Sequence, residues 1–123
     1  APANLCCVPG CVYTDPEIAS VGLTEEQSKA AGAAILVGKV PALANGKALV
    51  EHSERGFIKL IFRAEDEVLI GAQMMCPRAT DLIAVPAFAA ANGLTRAQLL
   101  RTVFPHPTFS ESIAHAAEAA RPR

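Results

Sequence analysis

The stretch from Gly56 to Met75 leaves a folding chain few options. In Gly56-Phe57-Ile58-Lys59-Leu60-Ile61-Phe62-Arg63, alternate residues of an extended backbone fall on opposite faces. Phe57, Lys59, Ile61 and Arg63 share one face, and Ile58, Leu60 and Phe62 share the other. The second face is wholly apolar and is expected to meet the core. Glu65-Asp66-Glu67 supplies a turn, and Val68 to Met75 returns as the partner strand.

Upstream of this pair, residues 1–8 carry no period and read as a leader or the remnant of a linker. Val12-Tyr13-Thr14 is a short strand stopped by Asp15-Pro16, and Ile18 to Gly22 is another. Thr24-Glu25-Glu26-Gln27 matches a capping box, a hydroxyl at the N-cap with Gln three residues on. Its helix is expected to reach about Ala31 and stop at Gly32, which accepts positive φ. Ala34 to Val40 reads as a strand ahead of Pro41, and Asn45-Gly46 as a turn.

Downstream the period changes. From Ala79, Leu82, Ile83, Phe88 and Ala89 recur at helical steps, with Pro86 expected to kink or break the helix and Asn92-Gly93 to end it. Thr95 to Gln98 is a second capping box, opening a helix through about Thr102. Thr108 to Glu111 is a third, and its helix lines up Phe109, Ile113, Ala116, Ala117 and Ala120 on one stripe. Strands precede helices instead of alternating with them. That order indicates an α+β fold, a mainly antiparallel sheet with helices packed on it. No internal repeat is visible.

A chain of 123 residues fits one domain, and 51% hydrophobic residues exclude a disordered one. A formal net charge of −1 offers no basic field for nucleic acid and no polybasic face for a membrane. No apolar run approaches the roughly 20 residues of a membrane span, and no signal leader is present, so the expected location is cytoplasmic. Cys6, Cys7, Cys11 and Cys76 lack a second Cys/His pair at ligand spacing, so no metal is expected. They read as free thiols in a reducing compartment, with no role assigned to Cys6, Cys7 or Cys11.

One histidine stands apart. His106 lies between Pro105 and Pro107, so its backbone is restricted from both sides. Such restriction suits a ring that must point somewhere definite. With Thr108 as N-cap, Glu111 sits at N3. Its carboxylate then has two readings: a cap on the Thr108 amide, or the partner that orients His106 for proton exchange through the other ring nitrogen. His52 and His115 read as surface residues. No G-x-G-x-x-G follows a strand, and neither G-x-x-x-x-G-K-[ST] nor G-x-S-x-G occurs. A base without a nucleophile or cofactor site belongs either to a non-catalytic domain or to half of an active site completed elsewhere.

Residues 12–32 (VYTDPEIASVGLTEEQSKAAG), 56–62 (GFIKLIF), 69–75 (LIGAQMM) and 104–111 (FPHPTFSE) stand in the order found in one family. About residues 9–120 resemble the C-terminal dimerisation domain of the flavin-dependent pyridine nucleotide-disulfide oxidoreductases, leaving 121–123 as a tail. The motifs are most like dihydrolipoamide dehydrogenase, with mercuric and glutathione reductases as related alternatives. The resemblance implies a homodimer and a complete enzyme that passes electrons between a dithiol and NAD through FAD and a disulfide. It implies that the FAD and NAD domains are missing here, so this chain alone is expected to bind neither cofactor and to be inactive. A lipoyl-bearing multienzyme complex is a further implied partner. The resemblance makes His106 the base serving the partner subunit's dithiol, with Glu111 orienting it. It also implies a cis His106-Pro107 peptide, with the backbone at His106 and Pro107 close to the partner's flavin. Phe104-Pro105 stands where many relatives read His-Ala, so the dithiol is left unassigned, as is NAD against NADP. Asp81 and Pro86 depart from a glutamate and a smooth helix. The rival reading is a stand-alone, self-associating binding module without catalysis.

Overall fold

The computed structural model describes residues 1–123. In chain order the strands are β1 (Gly10–Val12), β2 (Glu17–Gly22), β3 (Ile35–Pro41), β4 (Phe57–Arg63), β5 (Leu69–Cys76) and β6 (Arg121–Pro122). The helices are α1 (Glu25–Ala30), α2 (Gly46–Val50), α3 (Ala79–Leu82), α4 (Ala84–Ala91), α5 (Arg96–Leu100) and α6 (Glu111–Glu118). Single 3-10 turns occupy Leu5–Cys7 and Ala42–Ala44.

The expected hairpin forms the centre of one six-stranded sheet in the order β1-β2-β5-β4-β3-β6, every pairing antiparallel. Ile58, Leu60 and Phe62 enter the main core, as their alternation predicts, beside Ala72, Met74 and Cys76 of β5. Helices α3, α4 and α6 cover that face through Ala79, Ile83, Ala89, Ile113, Ala116 and Ala117. The stripe of small residues lets α6 lie close to the strands. At Gly38 a Cβ would collide with the Ala116 carbonyl, so only glycine permits this approach. Ile61, on the opposite face of β4, is also buried, in a second cluster with Ile35 and Val37.

Two capping boxes close as their spacing requires. Thr24 and Gln27 exchange both bonds at α1, and Thr95 and Gln98 do so at α5. Gly32 follows α1 at φ +75°. Pro86 has no N–H to give the Leu82 carbonyl, and the long helical pattern is divided at Ile83 into α3 and α4.

Two expectations are corrected. Asn45-Gly46 is not a hairpin turn: Asn45 is the N-cap of α2, and its side chain accepts from the Ala48 amide. The first strand lies at Gly10–Val12, because Thr14 Oγ1 turns back onto the Pro16 carbonyl at 2.8 Å and Tyr13 stays 80% exposed. Within residues 1–8, the 3-10 turn at Leu5–Cys7 packs against α4. Arg121 and Pro122 pair with Val37 and Leu36 at the sheet edge. No helix is long and apolar enough to cross a membrane.

Candidate active site around His106

His106 stands on the connection between α5 and α6. Its restriction by two prolines is realised as a cis His106–Pro107 peptide, and Asp15–Pro16 is a second cis peptide that the sequence did not signal. The imidazole is 78% exposed. Its Nδ1 lies 2.9 Å from Glu111 Oε1 and 3.1 Å from Oε2.

The third capping box is only half formed. The Thr108 amide donates to Glu111 Oε2 at 3.0 Å, as the box requires. The Thr108 hydroxyl is diverted: it donates to the Pro105 carbonyl at 2.6 Å, so the 2.8 Å contact with Ser110 Oγ has Ser110 donating. The residue preceding α6 is therefore Ser110, already helical and without a side-chain cap. The first turn of α6 is wound tightly, with Ser112 donating to the Phe109 carbonyl and Ile113 to Ser110. This diversion ties Thr108 to the loop carrying His106.

Glu111 thus makes both contacts at once, to the Thr108 amide and to the His106 ring. The Thr108 amide, and then the hydrogen bond from His106, hold its carboxyl below the usual glutamate range, partly opposed by desolvation. An ionised carboxylate can only accept, so it selects the Nδ1–H form of the neutral ring. Nε2 is then the nitrogen with a free lone pair, and it takes no hydrogen bond from the chain. A ring held this way can take a proton at Nε2 while the carboxylate stabilises the imidazolium.

The other titratable candidates lie apart from this arrangement. His52 and His115 are exposed, although the charge of His115 contributes weakly to lowering Glu111. Cys6, Cys7 and Cys11 are free, and the buried Cys76 thiol is pushed up to about 11, chiefly by desolvation and then by Glu17. Such a thiol stays protonated at neutral pH. No three His, Cys, Asp or Glu side chains converge as metal ligands. None of the clefts includes His106 or Glu111; the roomiest, about 570 Å³, is lined by Cys6, Cys7, Leu23, Arg63 and Ile70 among others. The His106 ring stands out from the surface over a half-buried Glu111, and no cleft of this chain encloses it.

Two neighbours of the loop escaped the sequence reading. Arg78 lies 5.3 Å from the centre of the Phe109 ring and 3.6 Å from Glu51. Asn45 donates to the Thr108 carbonyl and to Ser112 Oγ, both at 2.9 Å. For Asn45 a signal was present: Lys-Ala-Leu after Asn-Gly are helix formers, and asparagine is a favoured N-cap.

Residues 8–117 match the family model described as pyridine nucleotide-disulphide oxidoreductase, dimerisation domain. The chain is 41% identical over 114 residues to dihydrolipoyl dehydrogenase 2 of Haloarcula marismortui, covering 93% of this chain and 24% of that protein. It is 46% identical over 112 residues to dihydrolipoyl dehydrogenase of Thermus scotoductus, covering 91% and 24%. Among solved structures, LpdA of Mycobacterium tuberculosis superposes with a TM-score of 0.89 at 33% identity, covering 96% of this chain and 26% of that one. The HOCl-induced flavoprotein disulfide reductase RclA of Escherichia coli gives a TM-score of 0.87 at 31% identity, covering 91% and 26%. The chain spans about a quarter of the length of these relatives.

Proposed function

Because this chain belongs to the dimerisation-domain family of the pyridine nucleotide-disulphide oxidoreductases, we propose that it pairs the subunits of a dihydrolipoyl dehydrogenase-like flavoenzyme and lends His106 to the neighbour's active site. The observation that carries this reading is an exposed imidazole whose Nδ1 is occupied by Glu111 and whose Nε2 takes no hydrogen bond from the chain, with no cleft of the chain including the pair. A base so placed serves a reacting group that another body supplies.

In this reading His106 Nε2 accepts the proton of a substrate thiol, and the Nδ1–H stays with the Glu111 carboxylate. The thiolate left behind is the form that attacks a disulfide sulfur, and the proton returns from Nε2 to the departing thiolate. The substrate class is a dithiol such as dihydrolipoamide, and the partner is a second copy of the subunit. A lipoyl-bearing complex is the natural source of that dithiol.

FAD and NAD do not fit this chain's own residues. No G-x-G-x-x-G joins a strand to a helix, and the polar clefts are lined by charged pairs such as Glu25 and Lys59. Both cofactors belong, in this reading, to other domains of the enzyme, and the backbone at His106 and Pro107 faces the partner's flavin.

The test is His106→Gln in the full-length protein. Oxidation of dihydrolipoamide should fall roughly 10²- to 10⁴-fold with dimerisation and flavin content retained. An undiminished rate defeats the reading.

A further inference from the structure

Asn45 is 2% exposed, and its side chain makes three hydrogen bonds. Oδ1 accepts from the Ala48 amide at 3.0 Å, which is the cap of α2. The two hydrogens on Nδ2 go elsewhere, one to the Thr108 carbonyl and one to Ser112 Oγ, each at 2.9 Å. Those partners lie 63 and 67 residues further along the chain. The orientation of the amide is forced: reversed, it would set its NH₂ against the Ala48 N–H and its oxygen against the Thr108 carbonyl.

A cap alone does not call for asparagine. Serine caps a helix about equally well through one oxygen. What the carboxamide adds is a donor pair that reaches across to Thr108 and Ser112, and these two residues bracket Glu111. Thr108 gives its amide to Glu111 Oε2, and its hydroxyl holds the Pro105 carbonyl just before His106. A second tie runs in parallel, since Glu51 at the end of α2 meets Arg78, which lies over Phe109 in the same turn. The α2 segment therefore reaches the turn from Thr108 to Ser112 directly through Asn45 and, from Glu51 at its end, only by way of Arg78.

We propose that Asn45 is a positioning residue for the His106 base, its buried carboxamide fixing the Thr108–Ser112 turn from which Glu111 holds the imidazole. The inference rests on the reading of His106 given above. Asn45 touches neither the ring nor a substrate. It acts through the turn.

The test is Asn45→Ser in the full-length protein labelled on histidine, because serine keeps the α2 cap and removes only the reach to the turn. Long-range proton–nitrogen spectra, at a pH where the ring is neutral, report which nitrogen of His106 carries the proton. In the parent, Nδ1–H should predominate. Asn45→Ser should move His106 toward a mixture of tautomers and lower kcat for dihydrolipoamide roughly tenfold, with KM within about twofold. A lower melting temperature with tautomer and kcat unchanged would make Asn45 a purely structural residue and overturn the proposal. Glu111→Gln separates the two levels. If Glu111→Gln shifts the tautomer and Asn45→Ser does not, the Asn45 proposal alone fails. If Glu111→Gln also leaves it unmoved, the reading of the His106–Glu111 pair fails, and this inference with it. Should Asn45→Ser not fold, Ser112→Ala removes one of the two bonds and carries the same readouts. A partial shift supports the proposal, and an unaltered tautomer overturns it.

Discussion

Glu111 holds His106 with the same carboxylate that receives the Thr108 amide from the turn ahead of its helix. Oε1 lies 2.9 Å from the imidazole Nδ1, while Oε2 receives the Thr108 amide at 3.0 Å. Capping and orientation are usually weighed as rival explanations of an N3 glutamate. Here one planar group has an oxygen for each.

Glu111→Gln should separate the two roles. Glutamine caps Thr24 and Thr95 in this chain, through Gln27 and Gln98, so the bond to the Thr108 amide should survive. The charge that stabilises an imidazolium does not. Turnover of the full-length protein should fall roughly 10- to 100-fold, with only a small drop in melting temperature at neutral pH. Turnover and thermal melting on one preparation check this, and unaltered turnover would leave Glu111 as a cap only.

The same carboxylate carries a pH signature. Its pKa is lower folded than unfolded, first through the Thr108 amide and then through His106. A depressed carboxylate pKa stabilises the fold fully above the unfolded value of about 4.3, and that contribution is lost as pH falls through the folded value. The small stability gap between the parent and Glu111→Gln should close as the pH falls from the unfolded value through the folded one. Melting curves across this range test it. A gap that widens in acid has the wrong sign.

His106 should act in trans. Two inactive full-length proteins, one with His106→Ala and one with its redox cysteines replaced, should recover activity when mixed under subunit exchange. Each mixed dimer would then hold one site with both intact cysteines and an intact His106. If base and disulfide served within one chain, every mixed site would lack one of them. No recovery, with exchange verified by mass spectrometry, defeats the proposal.

Gly38→Ala should loosen α6. The added Cβ collides with the Ala116 carbonyl, part of a helix backbone that cannot rotate aside. Overpacking of this kind costs about 1–3 kcal/mol. Chemical denaturation measures the loss, and an unchanged midpoint would mean that α6 can retreat from β3 freely.

The chain should self-associate through apolar side chains that its own fold leaves outside. Phe88 is 66% exposed on α4 and Val103 is 93% exposed on the loop before His106. Phe88→Glu with Val103→Asp should shift the sedimentation profile toward monomer at micromolar concentration. A variant that remains fully dimeric would place the interface on another face.

Much of the fold was legible because its signals are short. Strand alternation through Ile58, Leu60 and Phe62 needs only a period of two, and the boxes at Thr24 and Thr95 need only a spacing of three. The third box formed only by half although its spacing is the same. The Pro105 carbonyl, three residues upstream, captured the Thr108 hydroxyl before the helix could. The His106–Glu111 pair was legible for the same reason of closeness, being five residues apart.

Asn45 shows the limit. Asn-Gly before Lys-Ala-Leu suits a tight turn or a helix N-cap equally well on local grounds, since both use the short amide close to its own backbone. The strand order β1-β2-β5-β4-β3-β6 and the pairing of Arg121 and Pro122 with β3 were likewise invisible. What the amino-acid sequence determined by itself was most of the elements whose hydrogen bonds or periodicity close within a few residues, together with the closeness of Glu111 to His106. What only the tertiary structure decided was which distant groups those elements meet. Asn45 has its two donors in any conformation, but the Thr108 carbonyl and Ser112 hydroxyl reach them only when the sheet and α6 bring the two ends of the chain together.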